Sequence, residues 1–460
     1  MANFLQQVTV EPSFFINTLL FNWIDGFETN LFLQKSCRYN RTVEPDLNTK
    51  CDDERAGVLF ISEVTSKYRF AAMFFATIVT IFSTTWSDKV GRRRKPLIHI
   101  VTLGQILIFL SGCLNSYFWH WSPTVVAITS TILYGLSGGS YLMIVACQIY
   151  LCDENNAENR TMKLGFIRAI QSICMILGKG SSGIILRRIG FFYSYLLCLI
   201  LAIVSLIFGF IFIKDNSTVA EKDFRFYQVF NVKRTVLNNF KVVFHKKLGR
   251  KRVIVSLLIL ANTAVNFTNF GELSILYPYL RYRFGFDEQK YSVFSFYRFS
   301  LATLGTLFCS IILSKCLKVH DGLIGILAGS FDLVAITLLL LATQIWQIFT
   351  VPLLDIFHGC VMVIPVSFMS KYFNVNELGR LQAVNGVFAL LFPFTFPAYN
   401  AIFKSTLDTF PSAFCLLSVG IDVVIILCFC LSYFFSTKIQ DENPKGAREE
   451  TRGMIPSHKT

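Results

Sequence analysis

Apolar residues gather in blocks of roughly twenty, separated by short polar stretches, and the blocks recur along nearly the whole chain. Nothing alternates polar with apolar as a barrel strand would. Blocks of this length suit helices crossing a hydrocarbon layer of about 30 Å, where every backbone amide must find its partner inside the helix. They predict spans near residues 12–33, 65–87, 97–116, 123–150, 163–186 and 191–213, then 253–278, 291–313, 322–342, 346–369, 380–403 and 411–435. The expected fold is an all-α membrane protein of twelve transmembrane helices. Two six-helix bundles, residues 1–213 and 253–436, flank a basic linker at 214–252 and precede a tail at 437–460. The first run is too long for a signal peptide and carries Asp25 and Glu28, so it reads as a span.

Only 16% of the 460 residues are charged while 53% are apolar, against roughly 25% charged in a soluble domain. A string of soluble domains is thereby excluded. The net charge of +14 sits largely in two places: Lys89, Arg92, Arg93, Arg94 and Lys95, and eleven Lys/Arg from Lys214 to Arg252. The positive-inside rule sets both segments, and both termini, on the cytoplasmic side. The basic excess then reports orientation and contact with anionic membrane lipid, and nucleic-acid binding is not implied.

On this orientation the first loop, residues 34–64, faces an oxidising exterior or lumen. Cys37, Cys51 and the sequon Asn40-Arg41-Thr42 all lie in it, which predicts one disulfide, Cys37 to Cys51, and a glycan on Asn40. The other eleven cysteines fall in or beside apolar spans and read as small buried hydrophobes. The sequons at Asn159, Asn216 and Asn266 are expected to stay unmodified. No phosphate loop, HExxH or metal-spaced CxxC pair occurs, so neither an enzyme nor a metal nor a cofactor is expected.

The most specific local signal is Trp86-Ser87-Asp88-Lys89-Val90-Gly91-Arg92-Arg93-Arg94-Lys95-Pro96. Asp88 ends a helix, Gly91 permits a tight reversal, and Arg92 and Arg93 can pair with Asp88, a candidate gating latch. The block resembles the major facilitator signature, with Thr84 in place of the usual glycine. Acid-then-arginine turns at Asp153 to Arg160 and Asn374 to Arg380 echo one another, as two pseudo-symmetric halves would.

Further segments resemble solute carrier family 46, its insect members in particular. They are Thr9-Val10-Glu11-Pro12, Asn30 to Asn40 with Cys51-Asp52, the WSDKVGRRRKP block, Gly180-Ser181-Ser182-Gly183, and Leu186 to Phe191. The resemblance implies a major facilitator fold. It also implies proton-linked uptake or lysosomal export of small organic anions, such as folates, peptidoglycan fragments or conjugates, by a monomer in the plasma membrane or an endosomal or lysosomal membrane. The chain departs from the folate transporter of that family at several places. Gly135-Leu136-Ser137-Gly138-Gly139 lacks the acid before the glycine pair, Arg168 replaces a glutamate, Asn262 to Phe270 holds no histidine, and the cysteine after span seven is missing. That last absence agrees with a disulfide confined to the first loop.

Ionisable groups at membrane depth cost several kcal/mol, so each is a candidate for function. Thr18, Asn22, Asp25 and Thr29 make one polar stripe on span one. Arg168 and Lys179, eleven residues apart and so about 20° apart around a helix, share a face of span five. With Arg298 of span eight they are expected to bound one anion-binding cavity. Asn262, Asn266 and Asn269 line span seven, ahead of Gly271-Glu272. Asp355 and His358, three apart in span ten beside Gly359, form with Glu272 the expected proton-coupling site. Asp332 and Asp422 read as isolated packing charges without a role. A solute-binding receptor or sensor, a facilitative uniporter and a channel are the rival functions to proton-driven symport.

Overall fold

The structure, a computed structural model, describes residues 10–38, 51–90, 93–154, 157–214, 250–372 and 378–442, and among these there is no strand. In chain order the helices are α1 (Glu11–Ser36), α2 (Glu54–Ser87), α3 (Lys95–Tyr117), α4 (Pro123–Glu154), α5 (157–189) and α6 (191–212). Then follow α7 (Lys251–Phe284), α8 (Glu288–Ser314), α9 (Asp321–Leu341), α10 (Ile345–Ser370), α11 (Val384–Thr406) and α12 (Phe414–Lys438). Among the described residues ten stretches are long and apolar enough to cross a membrane, and one of these, Gly165–Phe212, runs from within α5 through α6. Gly190, at φ 74° and ψ 176°, breaks that stretch in two, a conformation open to a residue without a Cβ. The 26-residue α1 falls outside the ten because its polar stripe lowers its hydropathy.

The exterior of the chain is apolar as well as its core. Leu103, Leu107, Leu110 and Leu114 form an exposed stripe at helical spacing on α3, the face turned to lipid. Asn17, Gln105 and Ser205 are buried between helices, and Asn17 Nδ2 donates to Ser205 Oγ at 2.7 Å. α1 lies against α5 and α6, α7 and α9 lie against α12, and α5 meets α8 across the two bundles. At that seam a Cβ on Gly183 would overlap the Glu288 carbonyl, so glycine sets the approach of the bundles.

The two ends of the molecule differ. At the end carrying the first loop, polar contacts join one bundle to the other. Arg281 holds Glu54 at 2.8 and 2.9 Å, Arg55 holds Asp408 at 2.5 Å, Arg187 holds Asp287 at 3.2 Å, and Tyr277 donates to Asn30 at 2.6 Å. The Cys37–Cys51 disulfide, Cα to Cα 5.6 Å, ties the end of α1 to the chain entering α2. At the opposite end the described ion pairs Arg94–Asp153, Lys163–Glu11 and Lys371–Asp321 each stay within one bundle. The described conformer is therefore closed on the first-loop side.

Candidate functional site

The site is built on an interrupted helix. In α10 the first segment ends at Leu354, Asp355 caps it, and helix resumes at His358. Pro352 weakens the hydrogen-bond ladder just before the interruption. The Ile356 carbonyl released there packs where Gly305 of α8 carries no side chain, and a Cβ on Gly305 would overlap that oxygen. A broken helix presents polar groups at membrane depth only where protein or a cavity lines it, and here it does so.

His358 Nδ1 lies 3.1 Å from Asp332 Oδ1 and 3.5 Å from Asp355 Oδ1, while Nε2 lies 3.3 Å from Asn269 Oδ1. Arg298 Nη2 stands 3.9 Å from Asp355 Oδ2 and 4.0 Å from Glu272 Oε2. Asp422 of α12 is buried within electrostatic reach of Asp332, Glu272, Asp355 and His358. Four carboxylates thus face one guanidinium and one imidazole. A narrow cleft in the C-terminal bundle opens beside them, walled by Glu272, Phe294, Arg298, Asp332, Asp355 and Phe414.

A second cluster occupies the N-terminal bundle. Asp25 is held by Lys179 of α5 and, at 2.6 Å, by Arg69 of α2, whose Nη2 also donates to Thr29 Oγ1 at 2.9 Å. Arg69 sits on a π-helical turn, Thr65–Arg69, a local widening often found where a helix carries function. One turn beyond Asp25, Glu28 accepts from Ser130 Oγ at 2.5 Å. Tyr291 of α8 feels Arg298 from its own bundle and Asp25 and Arg69 from the other, so the two clusters face each other across the seam.

The sequence candidates distribute as follows. Asp25, Lys179, Glu272, Arg298, Asp355 and His358 all enter one cluster or the other. Arg168 lies apart from Lys179 and Arg298, exposed and bonded to Gln171 at 3.2 Å. Asn22 and Asn266 turn their amides onto their own helices, at Thr18 O and Asn262 O, and Asn262 is buried. Asp332 needs correction: far from isolated, it is the nearest carboxylate to His358, and Asp422 is drawn into the same cluster. Arg69 went unread because it stood at the edge of its apolar run. Of the candidate latch, Gly91, Arg92 and the Asp88 side chain lie outside the described residues, as does Asn40. Arg93 is exposed, while the neighbouring Arg94 is buried between Asp153 at 2.8 Å and Ser87 at 2.9 Å.

An all-helical membrane protein of two bundles, with buried charge clusters facing across their seam, is a solute transporter in architecture. The chain belongs to the Major Facilitator Superfamily, whose sequence profile matches residues 68–397. It resembles solute carrier family 46. The lysosomal proton-coupled steroid conjugate and bile acid symporter SLC46A3 of Gallus gallus is 23% identical over 423 residues, covering 85% of this chain and 87% of the relative. Among solved structures, the human organic anion transporter MFSD10 superposes with a TM-score of 0.62 at 14% identity, covering 91% of this chain and 97% of the other. The peptide transporter POT in complex with alafosfalin gives 0.65 at 11% identity, covering 92% and 94%. These relatives and neighbours are transporters rather than enzymes, and the chain is a multi-pass membrane protein of the same class.

Proposed function

We propose that the chain is a proton-coupled symporter that carries a small organic anion by alternating access, with twelve spans and both termini in the cytoplasm. The observation that carries this reading is the placement of Arg298. It stands about 4 Å from each of two carboxylates, Asp355 and Glu272, at the wall of a cleft. At that range the guanidinium is shared by both and clasped by neither. A proton taken up by the group of Asp332, Asp355 and His358 cancels one negative charge and frees Arg298 for an anion in the cleft. Loss of the proton recaptures Arg298 and expels the anion, so proton and solute move together. Arg69 and Lys179 supply the second contact for the anion, with Asp25 as the counter-ion it exchanges with.

Leu276, Phe294 and Phe414 beside Arg298 give the cleft an apolar wall, suited to an anion with a rigid apolar body. The relative's own substrates, steroid conjugates and bile acids, have that chemistry. We therefore prefer this class to folates, and an endosomal or lysosomal membrane, where a proton gradient is at hand. The test is uptake of a labelled bile acid and a labelled steroid sulfate into proteoliposomes holding the purified protein, with and without an imposed pH gradient. Accumulation that collapses with a protonophore is expected, and Arg298→Gln should reduce it at least about tenfold, the equivalent of about 1.4 kcal/mol. Binding without accumulation would make the protein a receptor or sensor. Equilibration indifferent to pH would make it a uniporter.

A further inference from the structure

His358 faces acceptor atoms from both of its ring nitrogens. Its Nδ1 faces carboxylate oxygens of Asp332 at 3.1 Å and Asp355 at 3.5 Å, and its Nε2 faces the amide oxygen of Asn269 at 3.3 Å. All three partners are acceptors. A proton on each nitrogen satisfies all three as an imidazolium; a neutral ring whose Nε2–H donates to Asn269 instead leaves its Nδ1 lone pair beside two carboxylates, where a bound cation takes the place of that proton. Asp355 Oδ1 is buried without a hydrogen-bond partner, and its residue is only 6% exposed.

We propose that Asp332, Asp355 and His358 form a binding site for a divalent transition-metal cation, zinc being the best fit. One donor atom from each residue lies within 4.8 Å of the others. Bonds of about 2.0–2.1 Å from zinc to nitrogen and oxygen place tetrahedral ligands about 3.4 Å apart, and the two separations from Nδ1, 3.1 and 3.5 Å, bracket that spacing. The Nε2 contact to Asn269 is the outer-shell bond that fixes the tautomer of a metal-ligating histidine and orients its ring. Asp332 and Asp355 both line the cleft, a route in for the ion and for a water ligand. Charge agrees. Glu272, Asp332, Asp355 and Asp422 outnumber Arg298 by three negative charges when His358 is neutral, and a divalent ion offsets two of them. The ligands come from α9 and both segments of α10, which is why no metal spacing is visible along the chain.

The proposal concerns the same three residues to which the proposed function gives the proton, a bound ion taking the proton's place, and its test reads metal rather than solute. The full-length protein, purified in detergent and stripped with a chelator, is titrated with Zn²⁺, and the bound metal is examined by X-ray absorption. One Zn²⁺ per chain with nitrogen and oxygen neighbours at about 2.0–2.1 Å is expected. Asp332→Asn and His358→Ala should each weaken binding by more than about 100-fold, and Asn269→Ala by about tenfold. Asp332→Asn, nearly isosteric, decides the matter if His358→Ala fails to fold. Sulfur neighbours at about 2.3 Å would place the metal on the free cysteines, and no saturable binding would make His358 a plain ion-pair partner. Either result overturns the proposal. Proton-coupled uptake, measured separately, survives both.

Discussion

Arg69 and Arg298 occupy matching situations in the two bundles: each is a guanidinium at membrane depth beside carboxylates of neighbouring helices. A charge there is tolerated because a partner offsets its desolvation. Arg69 does this through one nitrogen, Nη2, which reaches both Asp25 and Thr29. A lysine keeps the charge but not the planar group that sets the direction of those two bonds. Arg69→Lys is therefore expected to raise KM for the anion probe about tenfold, about 1.4 kcal/mol, with the maximal rate little changed. An unchanged KM would remove Arg69 from the anion path. Single residues were legible only where their oddity was local. Asp25 stood out as a carboxylate in an apolar run, and Asp355 with His358 as a pair three apart. The pairings did not, because Lys179, itself a candidate, lies 154 positions from Asp25 and Asp332 lies 26 from His358. Only packing of separate helices makes those distances short.

The helices themselves were plain in the sequence, since an apolar block of span length has few other solutions in lipid. Their interruptions were not. The break at Asp355 depends on a neighbour, Gly305, that makes room for the Ile356 carbonyl, and the turn at Arg69 widens within an otherwise regular helix. Neither leaves a signature in hydropathy. The dependence has a measurable consequence. Gly305→Val forces the two helices apart and should cost about 1–3 kcal/mol by overpacking, seen as a melting temperature several degrees lower in detergent. Gly420 of α12 has open space around it, and Gly420→Ala should leave the melting temperature unchanged or slightly raised, because alanine favours the helix. Equal losses at both positions would mean that glycine serves α8 by flexibility rather than by close approach.

At the scale of the molecule, what distinguishes its two ends is which ion pairs cross the seam. Arg281, 9% exposed at its side chain, joins Glu54 by two hydrogen bonds and lies 3.7 Å from the buried Glu288. Arg55 and Asp408 are each more than half exposed, so water and salt screen their attraction. Closure on the first-loop side should therefore depend on Arg281 far more than on Arg55. Ser62, buried at the seam and donating to Asn400 O at 3.3 Å, is a position for a reporter. A cysteine placed there by Ser62→Cys, probed with a membrane-impermeant maleimide and normalised to the unfolded chain at the same pH, should label about tenfold faster in the Arg281→Gln background, about 1.4 kcal/mol of shifted equilibrium. Arg55→Gln should change it little at physiological salt. The pH dependence has a definite sign. The hydrogen bonds from Arg55 hold the Asp408 carboxyl below its ordinary range. A carboxylate with a lower pKa closed than open stabilises closure above the open value, about 3.9 for aspartate, and loses that stabilisation only as pH falls through the lower closed value. Acidification from pH 7.5 to about 5 stays above both and should leave this contact intact. If labelling rose steeply over that interval in the otherwise native gate, closure would rest on groups other than these pairs, and the proton would be acting at the first-loop end instead of at α10.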